Sequence, residues 1–205
     1  SLKWCDEIIV IDDESDDGTA AVAKKFGAKV FTRKLDGDFA AQRNFGLTKA
    51  KGEWVLFVDS DEIVTTELAA EIASSVTPRN DNINGCLIKR KDYFLGKWLT
   101  HGETANVKLL RLAKKDAGKW SRPVHEVWDV NGPVGELVYP LLHSPHPSVA
   151  QFLDEINRYS TMNASYLYNQ GVRVSWWQLL AYPKAKFLLN YFWRLGFLDG
   201  TAGAI

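Results

Sequence analysis

Three carboxylates, Asp59, Asp61 and Glu62, follow directly on the apolar run Trp54-Val55-Leu56-Phe57-Val58. A short continuous apolar run reads as a strand buried on both faces. The acids then fall where that strand leaves its sheet, at the carboxyl edge where open α/β sheets bind ligands. Asp59 and Asp61 are two residues apart, so they share a face of an ideal strand; a turn at Ser60 would also converge them. Two hard oxygen donors suit Mg²⁺ or Mn²⁺, and a divalent ion at such a site usually also holds phosphate oxygens. The same residues can also be read as a solvated strand end followed by a helix, with Asp61 or Thr65 as its cap.

Other candidates are spread along the chain. Asp12 ends the apolar run Ile8-Ile9-Val10-Ile11 and is expected at the carboxyl edge of the same sheet as Asp59, where a carboxylate can accept hydrogen bonds from a nucleotide base or ribose. Asp16 to Thr19 read as a turn and helix N-terminus, where acids favour the helix dipole; an acidic cap without a ligand is the other reading. Asp13, Ser15, Asp17 and Gly18 match the opening of a calcium loop, but its closing acid would fall at Lys24, which sets that loop aside. Arg43, on the helix leading into the carboxylate strand, could reach a diphosphate, because guanidinium forks match phosphate oxygens.

Glu126 stands between Val124, Val127 and Trp128, an apolar setting that favours a proton-accepting carboxyl; pairing with Arg122 or a lysine is the structural alternative. His143 can complete a Mn²⁺ shell, although imidazole suits Zn²⁺ better, or it is a satisfied core histidine. His101 and Trp98 are the candidates for the acceptor side.

The totals bound the setting for this chemistry. The 205 residues, 46% of them apolar, suffice for one sizeable core and an appendage. Charges balance at 25 basic against 25 acidic, which argues against a nucleic-acid binder. Cys5 and Cys86 are too few for a disulfide framework and have no zinc-type spacing, so a reducing, cytoplasmic compartment is expected. No signal peptide or membrane span is visible. Both ends look cut from a longer protein, because a buried strand begins at residue 7 and the chain stops without a polar tail.

Periodicity predicts strands at 8–12, 29–32 and 54–58, alternating with helices at 19–26, 38–50 and 66–76. That βα rhythm implies a largely parallel sheet covered by helices. Segments 84–94, 105–113, 124–130 and 134–142 read as strands of mixed register that extend the sheet. A helix from Ser148 to about Asn169 follows, then an aromatic-rich segment at 175–198. A division into 1–147 and 148–205 is therefore expected.

Taken in order, Glu7-Ile8-Ile9-Val10-Ile11-Asp12, Ser15-Asp16-Asp17-Gly18-Thr19, Gln42-Arg43-Asn44-Phe45-Gly46 and Phe57-Val58-Asp59-Ser60-Asp61-Glu62 resemble the family 2 glycosyltransferases with a GT-A fold. Tyr93-Phe94-Leu95-Gly96-Lys97-Trp98, Arg122-Pro123-Val124-His125-Glu126 and Leu141-Leu142-His143 resemble the bacterial branch that includes lipopolysaccharide-core β-glucosyltransferases. The resemblance implies an α/β, Rossmann-like, mainly parallel sheet. It implies an inverting transfer of a hexose from a nucleotide-sugar, UDP-glucose, to a cell-envelope glycan or glycolipid, with Mn²⁺ or Mg²⁺ as cofactor. It places Asp12 at the base or ribose, Arg43 near the diphosphate, Asp59 and Asp61 at the metal and ribose, and Glu126 at the catalytic carboxylate. The sequence departs from the family in two places. The usual opening strand and helix are absent, and His125-Glu126 stands where the family usually has Glu-Asp. A sugar-phosphate nucleotidyltransferase and a non-catalytic glycan-binding relic of the same fold are the alternatives.

Segment 175–198 sets Phe187, Leu188, Tyr191, Phe192 and Leu195 at helical spacing, with Lys186, Asn190 and Arg194 on another face. Such a helix can lie in a membrane interface, its Lys184, Lys186 and Arg194 meeting headgroups, so peripheral contact with the inner face of the plasma membrane is expected. A helix packed on the rest of the protein is the other reading.

Overall fold

The computed structural model describes residues 1–75, 83–145 and 148–204. The elements run β1 (Ile9–Asp12), α1 (Thr19–Lys25), β2 (Lys29–Thr32), α2 (Phe39–Lys49), β3 (Trp54–Leu56), β4 (Glu62–Ile63), α3 (Thr66–Ser75), β5 (Gly85–Phe94), β6 (Lys97–Trp98), β7 (Lys108–Lys114), β8 (Gly118–Ser121), β9 (Val127–Val130), β10 (Val134–Glu136), β11 (Leu141–His143), α4 (Val149–Asn169), α5 (Trp176–Leu188) and α6 (Thr201–Ala204). A π turn, Leu189–Trp193, and a 3-10 turn, Gly196–Asp199, join α5 to α6. The expected end of α3 at Thr77-Pro78 lies outside the described residues.

Local signals set most helix starts. The Asp38 carboxylate accepts the Ala41 N–H at 2.8 Å and begins α2. Thr65 Oγ1 accepts the Leu68 N–H at 3.1 Å, so Thr65 rather than Asp61 caps α3. Ser148 caps α4 through the Gln151 N–H, and the Gln178 side chain reaches back to the Ser175 N–H at 2.8 Å to begin α5.

The chain forms two compact units. The first gathers Ser1–Phe57, Ala69–Leu87 and Leu110–Leu137; the second gathers Val58–Leu68, Ile88–Leu109 and Val138–Ile205. The strands β5 and β7 each contribute residues to both units.

In the first unit, β1 and β2 form a separate two-stranded parallel sheet, from Ile9 opposite Lys29 to Asp12 opposite Thr32. Strand β3 pairs antiparallel with β7, Val55 lying opposite Ala113, and β10 runs parallel to the start of β5. The antiparallel hairpin β8–β9 sets Trp120 opposite Trp128. Ala40, Leu47, Ala113, Trp120 and Trp128 make the core, with Val55, Phe57, Leu110 and Val130 packed against it.

In the second unit, β11 lies between β5, to which it is parallel, and β4, to which it is antiparallel. Strand β6 folds back on the end of β5.

The α/β architecture is as the sequence predicts, but strand directions are more mixed than the βα rhythm suggests. β1 gives its pairing to β2 and β3 gives its pairing to β7, so Asp12 and the Asp59 segment do not end strands of one sheet. The regular strand of the 54–58 run stops at Leu56, half-buried throughout, although the Phe57 N–H still donates to the Arg111 carbonyl at 2.8 Å.

Candidate active site

The first unit brings Arg43 and Glu126 together across 83 residues of sequence. Arg43 Nε donates to Glu126 Oε1 at 2.8 Å, and its Nη2 lies 2.6 Å from the same oxygen. Both side chains are largely sheltered. The guanidinium lies over the Trp120 ring at 4.8 Å and over Phe57 at 5.6 Å. Trp120 stacks on Trp128 with centroids 5.2 Å apart, and Phe57 meets both rings edge-on. The ion pair therefore sits on an aromatic cushion that shields it from water and adds cation–π attraction.

Neighbouring residues of the Gln42-Arg43-Asn44 motif build this arrangement. Asn44 Nδ2 donates to the Trp120 carbonyl at 2.8 Å while its Oδ1 accepts the Trp120 N–H at 2.9 Å. That two-point grip ties β8 to α2. Gln42 does the same for the chain at Arg33, donating to its carbonyl at 2.9 Å and accepting from its Nη1 at 2.7 Å.

Loop 122–126 carries Glu126 between β8 and β9. The Phe39 N–H, at the start of α2, donates to the Pro123 carbonyl at 2.9 Å, and Val124 is buried. Arg122 and His125 hold left-handed backbone angles, φ 68° and 53°. Strained non-glycine residues that persist beside a charged side chain mark a geometry the surroundings enforce. The His125-Glu126 pair thus gains a local explanation, since histidine tolerates this region better than most residues. Gly118, at the foot of the hairpin, admits no side chain, because a Cβ there would collide with the Asp129 carbonyl. The sequence motif contained Asn44 but did not show its grip on Trp120, and no pattern marked Trp120 or Gly118.

Asp12 is 5% exposed. Its Oδ2 accepts the Ser15 N–H at 3.2 Å, while its Oδ1 is buried with no hydrogen-bond partner among the described residues. A buried carboxylate oxygen left unpaired is costly and calls for an explanation.

In the second unit, Asp61 and His143 meet. His143 Nε2 lies 3.4 Å from Asp61 Oδ2, and its Nδ1 lies 2.6 Å from Asp92 Oδ1. Arg90 continues the row at 2.8 Å from Asp92. Burial works against the imidazolium, but the hydrogen bonds it donates to Asp61 and Asp92 prevail and raise the His143 pKa from 6.5 to about 9. The hydrogen bond from His143 holds the Asp61 carboxyl below its usual range. Burial opposes ionisation of Asp92, yet His143 and Arg90 pull its pKa down. Asp59 instead closes a tight turn with Glu62. Its N–H donates to Glu62 Oε2 at 2.8 Å and its carbonyl accepts the Glu62 N–H at 3.0 Å.

Among the described residues, no three His, Cys, Asp or Glu side chains gather as a metal site. Asp61 Oδ2 and His143 Nε2 are nonetheless close enough to serve as neighbouring ligands of one ion. That donor set fits a divalent cation whose remaining ligands come from phosphate oxygens and water. Imidazole would have to lose its proton to take part.

His101 Nδ1 lies 3.0 Å from Asp199 Oδ1, and Asp199 also accepts the Thr100 and His101 N–H groups at 3.0 and 2.8 Å. This carboxylate ties the end of the chain to the segment after β6. Trp98 is partly exposed and meets Tyr93 edge-on at 5.0 Å.

Comparison with known proteins agrees with the fold and with the motifs. The crystal structure of glucosyl-3-phosphoglycerate synthase from Mycobacterium tuberculosis superposes with a TM-score of 0.51 over 83% of this chain and 71% of that one, at 19% identity, which shows a shared glycosyltransferase architecture of the GT-A type. The sequence profile described as glycosyl transferase family 2 matches residues 5–128, and the chain belongs to that family. The lipopolysaccharide core biosynthesis glycosyltransferase LpsC of Rhizobium meliloti (strain 1021) is 31% identical, the match spanning all of this chain and 81% of the relative. An uncharacterized glycosyltransferase of Rickettsia prowazekii (strain Madrid E) is 28% identical over 98% of this chain and 72% of its own.

Proposed function

We propose that this family 2 glycosyltransferase moves a hexose, glucose from UDP-glucose, to a hydroxyl of a cell-envelope glycan or glycolipid with inversion at the anomeric carbon. The observation that carries the reading is the Arg43–Glu126 pair. A candidate proton acceptor and a candidate diphosphate-binding cation, far apart in sequence, share one sheltered place. The similarity to LpsC supports the envelope acceptor.

In the proposed reaction Glu126 takes the proton of the acceptor hydroxyl as its oxygen attacks the anomeric carbon. The bond from that carbon to the diphosphate oxygen breaks, and the nucleoside diphosphate leaves with the electron pair. Arg43 exchanges its carboxylate partner for diphosphate oxygens, which its planar fork also matches. Asp12 Oδ1, which has no partner among the described residues, is the acceptor assigned to the nucleoside. Within the second unit, Asp61, with His143 or Asp59, is the candidate donor set for a divalent cation, which would supply charge neutralisation for phosphate oxygens. Trp98, which meets Tyr93 edge-on, and His101 are the candidates for acceptor contact within the second unit. The site of action would be the cytoplasmic face of the envelope.

The test is nucleotide release. The protein with UDP-glucose, Mn²⁺ and a lipopolysaccharide-core acceptor is expected to release UDP in proportion to glycan extension. Pyrophosphate release from UTP and glucose 1-phosphate, without UDP release, would instead establish the nucleotidyltransferase reading and overturn this one.

A further inference from the structure

Helix α5 and the π turn after it are turned inside out. In a helix of a water-soluble protein the apolar stripe faces the core and the polar stripe faces water. Here the polar stripe is the inward one. Lys186 Nζ lies 2.6 Å from Glu103 Oε1, Asn190 Nδ2 donates to Glu103 Oε2 at 3.3 Å, and the Gly102 N–H donates to the Arg194 carbonyl at 3.0 Å. Lys186 is thus drawn toward Glu103, whereas the Arg194 side chain stays exposed and donates to Asn190 Oδ1 at 3.0 Å.

The apolar residues point outward. Trp193 is 83% exposed and Trp176 75%, with Trp177, Leu180, Phe187 and Phe192 exposed around them. Trp176, Leu180 and Phe187 recur on one face by helical spacing. A shallow apolar depression of about 450 Å³, lined by Pro183, Lys184, Phe187 and Leu188, opens in the same surface. Patches of this kind mark an interaction site.

Charge identifies the occupant. From Asn157 to Leu198 the chain carries five basic residues, Arg158, Arg173, Lys184, Lys186 and Arg194, and no acidic one. In a protein whose charges otherwise balance, a wholly basic stretch bearing exposed tryptophans complements an anionic lipid surface. No described helix is long and apolar enough to cross a membrane.

We propose that α5 and the π turn form a monotopic docking surface for an anionic bilayer, with Trp176, Trp177, Phe187, Phe192 and Trp193 buried at the acyl–headgroup boundary and Lys184 and Arg173 at the phosphates. This inference does not depend on the catalytic reading.

The test is flotation of the 205-residue protein with phosphatidylglycerol–phosphatidylethanolamine vesicles, beside pure phosphatidylcholine vesicles. Binding is expected to the anionic vesicles, weakened about fivefold or more on going from low to high salt. The double variant Trp176→Ser/Trp193→Ser changes exposed residues and is expected to keep the wild-type circular dichroism. It should lose about tenfold or more of the bound fraction. Absence of flotation at low salt, or a folded double variant that floats as well as the wild type, overturns the proposal. So does a concentration-dependent dimer in sedimentation that the double variant abolishes, because the face would then be covered by a second copy. UDP release measured on the same samples separates a failure here from a failure of the transferase reading.

Discussion

The two ionic clusters make an instructive pair. In the second unit, Arg90, Asp92, His143 and Asp61 form a row of alternating charge, each interior member held from both sides. In the first, Arg43 pairs with Glu126 over Trp120, Trp128 and Phe57. The row neutralises itself and stabilises its own protonation states, which suits a rigid frame for Asp61. The first sets a guanidinium fork against aromatic rings, and a fork of that shape matches carboxylate and phosphate oxygens alike. Burial of an ion pair is not by itself stabilising, because desolvation offsets much of the attraction.

The sharpest way to break this contrast is Glu126→Gln, which preserves size but cannot take a proton. Turnover is expected to fall by about 10²-fold or more with the donor KM little changed. A near-wild-type Glu126→Gln enzyme, set against an inactive Asp129 or His101 variant, would move the base elsewhere.

The row should reveal itself through pH. The folded His143 pKa near 9 lies above the ordinary 6.5, so its stabilisation is complete below pH 6.5 and is lost as pH rises through 9. The shift corresponds to at most about 3 kcal/mol, counted once for the whole row. Asp61 and Asp92 have lowered values, so their share is present above the ordinary 3.8 and disappears on acidification. Urea melts in chelator-containing buffer should therefore be most stable between these limits. NMR titration of Asp61→Ala should show the His143 pKa moving down toward 6.5; an unmoved value would deny Asp61 its part in the row.

Asn44→Ala tests what positions the couple. It leaves the Trp120 N–H and carbonyl without their partner and should cost about 2 kcal/mol in equilibrium unfolding. A loss below about 0.5 kcal/mol would mean that β8 is held by packing alone.

Arg43→Lys has the smallest expected effect on stability, about 1 kcal/mol, because charge survives while the fork and the planar stacking on Trp120 do not. The informative readout is the donor KM, which should rise more than kcat falls if Arg43 binds diphosphate. The reverse split would confine Arg43 to orienting Glu126.

Local pattern alone determined a good deal of this protein. The strand at Ile9–Asp12, the capped helix at Phe39–Lys49 and the helix starting after Ser148 follow from hydrophobic period and capping residues, which act over a few neighbours. The ordered motifs were enough to indicate the family. Pairing partners were not legible in the same way. Nothing in the run 54–58 says that its ladder neighbour is β7, or that β1 belongs to a separate sheet, because strand pairing depends on residues far along the chain. Nor could spacing show that Arg43 would hold Glu126, that Asn44 would grip Trp120, or that Asp61 would turn to His143 and leave the helix cap to Thr65. The helix at Trp176–Leu188 illustrates the limit. Its amphipathic composition was evident, but which stripe faces the protein was decided only when Glu103 offered Lys186 and Asn190 a partner, and that choice left the aromatic face outward.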